Sequence, residues 1–360
     1  MKKLALAGCV LMGAAGAAGA EGTLNIYNWS DYIAEDTIAK FEAETGIDVN
    51  YDVFDSNEVV EAKMLTGATN YDIVVPSLEF MARQAQAGVF MPIDKAAIGN
   101  YANLDPEVMA IIAKNDPDNT YGVPYMMYTI GLGYNPARVN ERLGVDHADS
   151  WAMLFDPAQA AKLADCGIAL LDSPSEMTAA ALNYLGLDPT SEDKGDLEQA
   201  AALLTSIRPY IRYFHSSQYI NDLANGDVCL AAGYSGDILQ ARNRAEEAGQ
   251  GVEVAYTIPQ EGAQVGFDML AIPADAPHPE NALKFIDFFL RPEISADISN
   301  YVYYANANTA ATPLVNEAVR TDPGIYPPAE VRAKMYSAKP HNQRYDRALT
   351  RAWTTIKTGQ

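Results

Sequence analysis

Trp29-Ser30-Asp31-Tyr32 sets an indole, a carboxylate and a phenol within four residues. The motif of an aromatic beside an acid recurs. Tyr234 precedes Asp237 after the apolar run Val228–Ala232, Phe267 adjoins Asp268 in GFDMLAIP, and Tyr303-Tyr304 leads into Ala305-Asn306. Each pairing has a plain structural reading. Asp237 suits the first turn of a helix, Asp31 suits a turn, Phe267 a core and Tyr304 a wet edge. Together they describe a cage for a cation that carries methylenes. Aromatic faces attract an ammonium by about 0.5–2 kcal/mol, and carboxylates add charge-assisted hydrogen bonds roughly twice as strong as neutral ones.

Catalytic signatures fail one by one. Gly233-Tyr234-Ser235-Gly236-Asp237 approximates the nucleophile elbow but ends in Asp237 where the motif needs glycine. Gly131-Leu132-Gly133 has Pro136 where a dinucleotide fingerprint needs its third glycine. There is no P-loop and no H-E-x-x-H. The four histidines, His147, His215, His278 and His341, lack ligand spacing and read as surface or structural residues. No metal set or cofactor motif emerges.

The elements that must position the cage follow from periodicity and punctuation. Leu24–Trp29 reads as a strand, and Ala34–Thr45 as a helix with acids early and Gly46 as its stop. Ile47–Phe54 alternates as a strand, Ser56 caps a helix running to Gly67, Tyr71–Pro76 is a short apolar strand, and Glu79–Ala87 is helical. This βαβαβ order predicts a parallel, doubly wound sheet whose ligands sit beyond the carboxyl ends of its strands. Trp29–Tyr32 and Ser77–Phe80 occupy such ends. The alternation resumes with strands at Gly167–Leu171 and Asp227–Ala232 and a helix over Ala276–Arg291. Tyr121–Tyr134 and Val252–Ile258 are extended, aromatic-rich candidates for crossings between two lobes.

Lys2 and Lys3, an apolar run and Ala18-Gly19-Ala20 make a secretory leader, with cleavage expected after Ala20. The competing lipobox, Leu6-Ala7-Gly8-Cys9, leaves too short an apolar region before its cysteine. No later segment has the roughly 18 apolar residues of a membrane span, so an exported, soluble chain is expected. Losing two lysines takes the formal charge from −22 to −24, which disfavours nucleic acid and anionic membranes as partners. Cleavage leaves Cys166 and Cys229, an even pair that an oxidising compartment would oxidise to a disulfide; buried thiols are the alternative. The remaining 340 residues exceed what one core usually organises.

Long stretches carry a resemblance over almost all of the mature chain. They are YNWSDYIAEDTIAKFEAETG, YDVFDSNEV, YDIVVPS, CGIALLDSPSEM, YFHSSQYINDLANGDVC, FDMLAIPADA, YANAN and TDPGIYPPAEVRAKMY. The chain resembles the putrescine-binding periplasmic proteins of polyamine ABC transporters. The resemblance implies an α/β, type II periplasmic binding protein fold: two doubly wound lobes joined by crossing hinge strands. The expected lobes are 21–126 plus 248–294, and 127–247 plus 295–360, with the ligand between them. It also implies a monomer that performs no chemistry, needs no cofactor, and delivers putrescine or spermidine to an inner-membrane permease. The rivals are a secreted amine-acting enzyme and a binder of another organic cation; an amino-acid site should offer an Arg for the carboxylate, and the cage stretches have none.

Carried over by position, the resemblance implies ligand contacts from Trp29, Ser30, Asp31, Tyr32, Ser77, Glu176, Ser216, Asp237, Asp268 and Tyr304, to which the aromatic-acid pattern adds Tyr234 and Phe267. Four positions depart from the family pattern. Tyr234 replaces a tryptophan, Gly266 a phenylalanine, Glu79 a small polar residue and Ala338 a leucine. These changes exchange bulk for space and add an acid. A cavity longer or wider than a diamine needs is therefore expected, accepting spermidine at least as well as putrescine with Glu79 near the extra charge.

Overall fold

The computed structural model describes residues 22–145 and 148–359. The expected leader with Cys9 and the expected cleavage position lie outside the described residues, as does His147.

Among the described residues nine strands make the framework: β1 Thr23–Trp29, β2 Asp48–Phe54, β3 Ile73–Val74, β4 Gly122–Tyr134, β5 Ile168–Leu170, β6 Tyr213–Phe214, β7 Leu230–Tyr234, β8 Ala255–Thr257 and β9 Val265–Ala271. Their lateral order is β2-β1-β3-β9-β4-β7-β5-β6, with β8 paired to β4. β1 runs parallel to β2 and β3, and β5 parallel to β6 and β7. The strands that join these two parallel sets run antiparallel to them. The parallel set expected from the βαβαβ order is thus present in β1, β2 and β3, and the crossing strands add antiparallel pairs to it. β4 and β9 return across the molecule against the direction of the βαβ units, so they can pair with them only antiparallel.

Local chemistry explains the elements. β1 is buried along its interior residues, as expected of a strand covered on both faces, whereas edge strand β2 is largely exposed. Gly46 closes the first helix, Thr37–Thr45, at φ 69°, a left-handed conformation that glycine adopts without a Cβ clash. Ser56 caps Asn57–Met64 by accepting from the Val59 amide. Phe41 packs edge-on against Phe285 and Phe288 of helix Pro279–Phe289, fastening a late helix onto the first parallel set.

Strand β4 spans both half-sheets. Gly122–Thr129 pairs with β9 in the first, and Ile130–Tyr134 pairs with β7 and β8 in the second. This is the crossing expected over Tyr121–Tyr134. β9 pairs with β4 as far as Val265, opposite Thr129. The segment 255–257, expected in the first lobe, hydrogen-bonds to Leu132–Tyr134 in the second half-sheet.

A disulfide joins Cys166 and Cys229, with Cα atoms 5.5 Å apart. It links the chain entering β5 to the chain entering β7, two strands that are already neighbours. Both cysteines are buried in the core.

Candidate ligand cleft

A cavity of about 370 Å³ lies where the strand ends of the two half-sheets meet. Trp29, Ser30 and Tyr32 reach it from the end of β1, Ser77 from the start of helix Leu78–Gln86, and Ser216 from the loop after β6. Tyr234 comes from the end of β7, Asp237 from the first turn of helix Ser235–Ala248, Asp268 from β9, and Tyr304 from the turn after helix Pro292–Val302. Nine expected residues thus converge on one space.

Its electrostatics rest on two buried carboxyls. Asp268 accepts from the Tyr32 hydroxyl and the Ser77 hydroxyl, both at 2.7 Å. Asp237 accepts from Tyr219 and Tyr304, also at 2.7 Å each. Burial pushes both pKa values up to about 7, against the lowering effect of those hydroxyl bonds. Neither Lys nor Arg is among the described residues that line the cavity. Two desolvated acids without a facing cation make a site that a bound cation completes, since buried charge is stable only when paired.

Aromatic walls complete the shape. Trp29 donates from Nε1 to the Val75 carbonyl at 2.8 Å, which fixes its ring edge-on to Tyr234, centroids 6.0 Å apart. Tyr32 and Tyr304 meet edge to face at 4.9 Å. These faces can hold methylenes while the carboxyls hold the charge at either end.

Four expected contacts lie elsewhere. Asp31 is half exposed and its Oδ1 meets the Arg244 Nη2 at 2.7 Å, so its charge is engaged by a surface guanidinium instead of lining the cavity. Phe267 sits in the hydrophobic cluster of Tyr27, Phe54 and Met269. It and Asp268 lie within β9, not at a strand end. Neighbouring strand residues point to opposite faces, so the acid that faces the cleft sends the ring into the core. Glu79 lines a second cavity. Glu176 sits behind Tyr234, whose hydroxyl donates to its Oε2 at 2.8 Å, and burial pushes its pKa up to about 8.

Gly266 does not open space. It lies opposite Tyr128 in the β4–β9 register, and a Cβ there would come within 2.2 Å of the Tyr128 ring. Tyr128 fills the room left by the absent side chain and donates to the Ser77 Oγ at 3.2 Å. Ala338 lines the second cavity.

Sequence reasoning missed Tyr128, Asp55 and Tyr219. Tyr128 and Asp55 line the cavity, and Tyr219 orients Asp237 from behind. The aromatic-rich crossing strand carried a signal for Tyr128. Tyr219 lies on the buried face of helix Gln218–Asn225 and reads as ordinary core.

The described chain matches relatives along nearly its whole length. It is 53% identical over 358 residues to the putrescine-binding periplasmic protein PotF of Escherichia coli (strain K12), covering 99% of this chain and 97% of that one. It is 52% identical to the putrescine-binding periplasmic protein SpuD of Pseudomonas aeruginosa (strain UCBPP-PA14), covering 94% and 92%. Among solved structures, the spermidine/putrescine ABC transporter substrate-binding protein PotD from Streptococcus pneumoniae superposes with a TM-score of 0.75 at 28% identity, over 94% of this chain and 99% of that one. The fold is accordingly that of the type II periplasmic binding proteins. The family model for bacterial extracellular solute-binding proteins matches residues 36–327, and with these relatives along nearly its whole length the chain belongs to that family.

Proposed function

We propose that the chain captures a polyamine in the cleft between its lobes and presents it to an inner-membrane ABC permease. The observation that carries this reading is the pair Asp237 and Asp268. Both are buried, both are oriented by hydroxyl donors, and both stand among aromatic faces without a protein cation in the cavity wall. An ammonium at each end of an aliphatic chain satisfies that arrangement. Trp29, Ser30, Tyr32, Ser77, Ser216, Tyr234 and Tyr304 complete the ligand contacts, with Asp55 and Tyr128 added.

The chain acts after export, with its leader cleaved after Ala20, as a periplasmic monomer with no nucleic-acid partner. It releases its ligand unchanged: relatives at 53% and 52% identity are named as binding proteins. The lobes meet near Thr129 in β4 and between β8 and β9. Calorimetric titration with putrescine, spermidine, an amino acid and a betaine, with the ligands assayed afterwards for turnover, tests this. Saturable binding of the polyamines alone, recovered intact, is the expected result. Binding of the amino acid or betaine instead, or chemical change in an amine, overturns it.

A further inference from the structure

Charge is unevenly spread along this chain. The formal net charge is −22, yet residues 330–357 carry seven Lys and Arg against two acids, Glu330 and Asp346. The centre of this reversal is the helix Gln343–Thr358. It buries Tyr345, Leu349, Trp353 and Ile356 and packs on helices Pro174–Tyr184 and Lys194–Ile207. Arg344, Arg347 and Arg351 are exposed. Spaced i, i+3 and i+7, they form one stripe on the side of the helix opposite its buried face. Thr354, Thr355 and Thr358, also exposed, continue that stripe. It holds no carboxylate of its own helix, because Asp346 is turned to Arg83 and His341.

The three guanidinium groups are also unengaged. Among the described residues, none of them has a hydrogen bond or an ion pair. Every other arginine except Arg320 is held by a carboxylate, a side-chain amide or a backbone carbonyl, as Arg142 is by Asp165 and Arg291 by Glu44. With 47 acids for 25 basic residues, a partner stands within reach of most arginines. The stripe lies clear of them.

The same helix joins the two halves of the molecule. Asp346, between Arg344 and Arg347 in sequence, meets Arg83 at 3.1 Å. Arg83 belongs to helix Leu78–Gln86, which packs on β9 in the first half-sheet, whereas Gln343–Thr358 packs on helices of the second. The arginine face is therefore carried by an element whose inner edge is gripped from across the cleft.

Resting on the reading that the chain delivers its ligand to a membrane permease, we propose that the face of Arg344, Arg347 and Arg351 is a docking surface for an acidic segment of that permease. Charge complementarity selects the occupant. A partner drawn by the bulk charge would be basic and would avoid this face. Free guanidinium groups fit carboxylates in paired, directional contacts, so the stripe sets the orientation in which an acidic partner binds. An anionic bilayer is disfavoured by the overall charge of −22, and segments that hold such lipids carry roughly four to eight clustered cations. With Arg83 gripping the helix from the other half, the face is fixed relative to both halves only when they are together. Docking here thus favours the closed, loaded form.

The test adds the full mature protein to spheroplasts of the producing cell, with its own gene for this chain deleted, and measures uptake of labelled putrescine against protein concentration. R344E/R347E/R351E should need about tenfold more protein than wild type for half-maximal uptake, while binding putrescine equally well in calorimetry. K114E/K162E/K284E, which changes the net charge equally at three scattered exposed lysines, should stay within about threefold of wild type. R344Q/R347Q/R351Q should shift uptake in the same direction, and it decides the matter if the reversal lowers the melting temperature. The inference is overturned if the arginine variants restore uptake at the wild-type concentration, or if the lysine variant loses as much, which would reduce the effect to bulk charge. Unchanged uptake with lost binding to phosphatidylglycerol vesicles would assign the face to a membrane, and unchanged uptake with lost dimers in sedimentation velocity would assign it to a second copy; either overturns the inference. In all these cases restored uptake leaves the delivery reading intact. Wild type that binds putrescine but restores no uptake overturns both.

Discussion

Asp31 and Arg244 are joined at 2.7 Å, Oδ1 to Nη2, tying the loop after β1 to the helix that begins at Ser235 and carries Asp237. Gln240 of the same helix donates to the Asp31 carbonyl at 3.2 Å. Asp31 thus holds the first half-sheet against a helix of the second, at a residue whose backbone is left-handed, φ 55°. Its neighbours Ser30 and Tyr32 face the cavity.

This arrangement predicts that Asp31→Asn weakens putrescine binding much less than Asp237→Asn. Removing the carboxylate that faces a buried ammonium should cost about 2–5 kcal/mol. An exposed ion pair contributes about 1 kcal/mol or less. Titration calorimetry on the two variants decides it, and equal losses would return Asp31 to the ligand shell.

Ligand affinity should fall with pH. Asp237 and Asp268 are raised from an ordinary 3.8 to about 7, and Glu176 from 4.5 to about 8, chiefly by burial. Their stabilising contribution to the ligand-free protein is full below their ordinary values and is lost as pH rises through about 7 to 8. An ammonium needs the ionised forms, so binding releases protons and weakens toward acid. The rise in melting temperature caused by putrescine should be larger at about pH 8 than at about pH 5. An equal rise at both would mean that these carboxyls do not pair with the ligand.

Gly266→Ala should damage the site from a distance. The new Cβ would strike the Tyr128 ring, displacing a residue that lines the cleft and donates to Ser77. Overpacking of this kind costs about 1–3 kcal/mol of stability. A loss of putrescine affinity should accompany it. Chemical denaturation with a parallel titration checks both, and a variant matching wild type in each would show that the ring has room to move.

Removing the disulfide, by Cys166→Ala with Cys229→Ala, should lower stability by about 4 kcal/mol, given the sequence separation of 63. Thiol titration of the unfolded, non-reduced wild type should find no free thiols in the mature chain. Two reactive thiols there would contradict the pairing.

Local sequence settled what depends on near neighbours. Gly46 and Ser56 end and begin helices by their own backbone chemistry, and the aromatic and acidic residues after β1 and β7 were legible because strand ends are marked by composition. Trp29, Ser30, Tyr32, Tyr234 and Asp237 share one cavity for that reason. What stayed hidden depends on which distant segments meet. The alternation of β9 sends Phe267 to the core and Asp268 to the cleft, a choice fixed by the pairing of β9 with β4 and invisible in an aromatic-acid pair. The room expected beside Gly266 is occupied by Tyr128 across that same register. Arg244 reaches Asp31 over a separation of 213 residues. Glu58 and Glu79 each satisfy a helix start in isolation, and only the packing of their helices brings them to one cavity. The sequence alone thus determined the residue types and their local geometry. The tertiary structure decided which of them face each other, because side-chain direction across a sheet and contact between distant helices are set by long-range pairing.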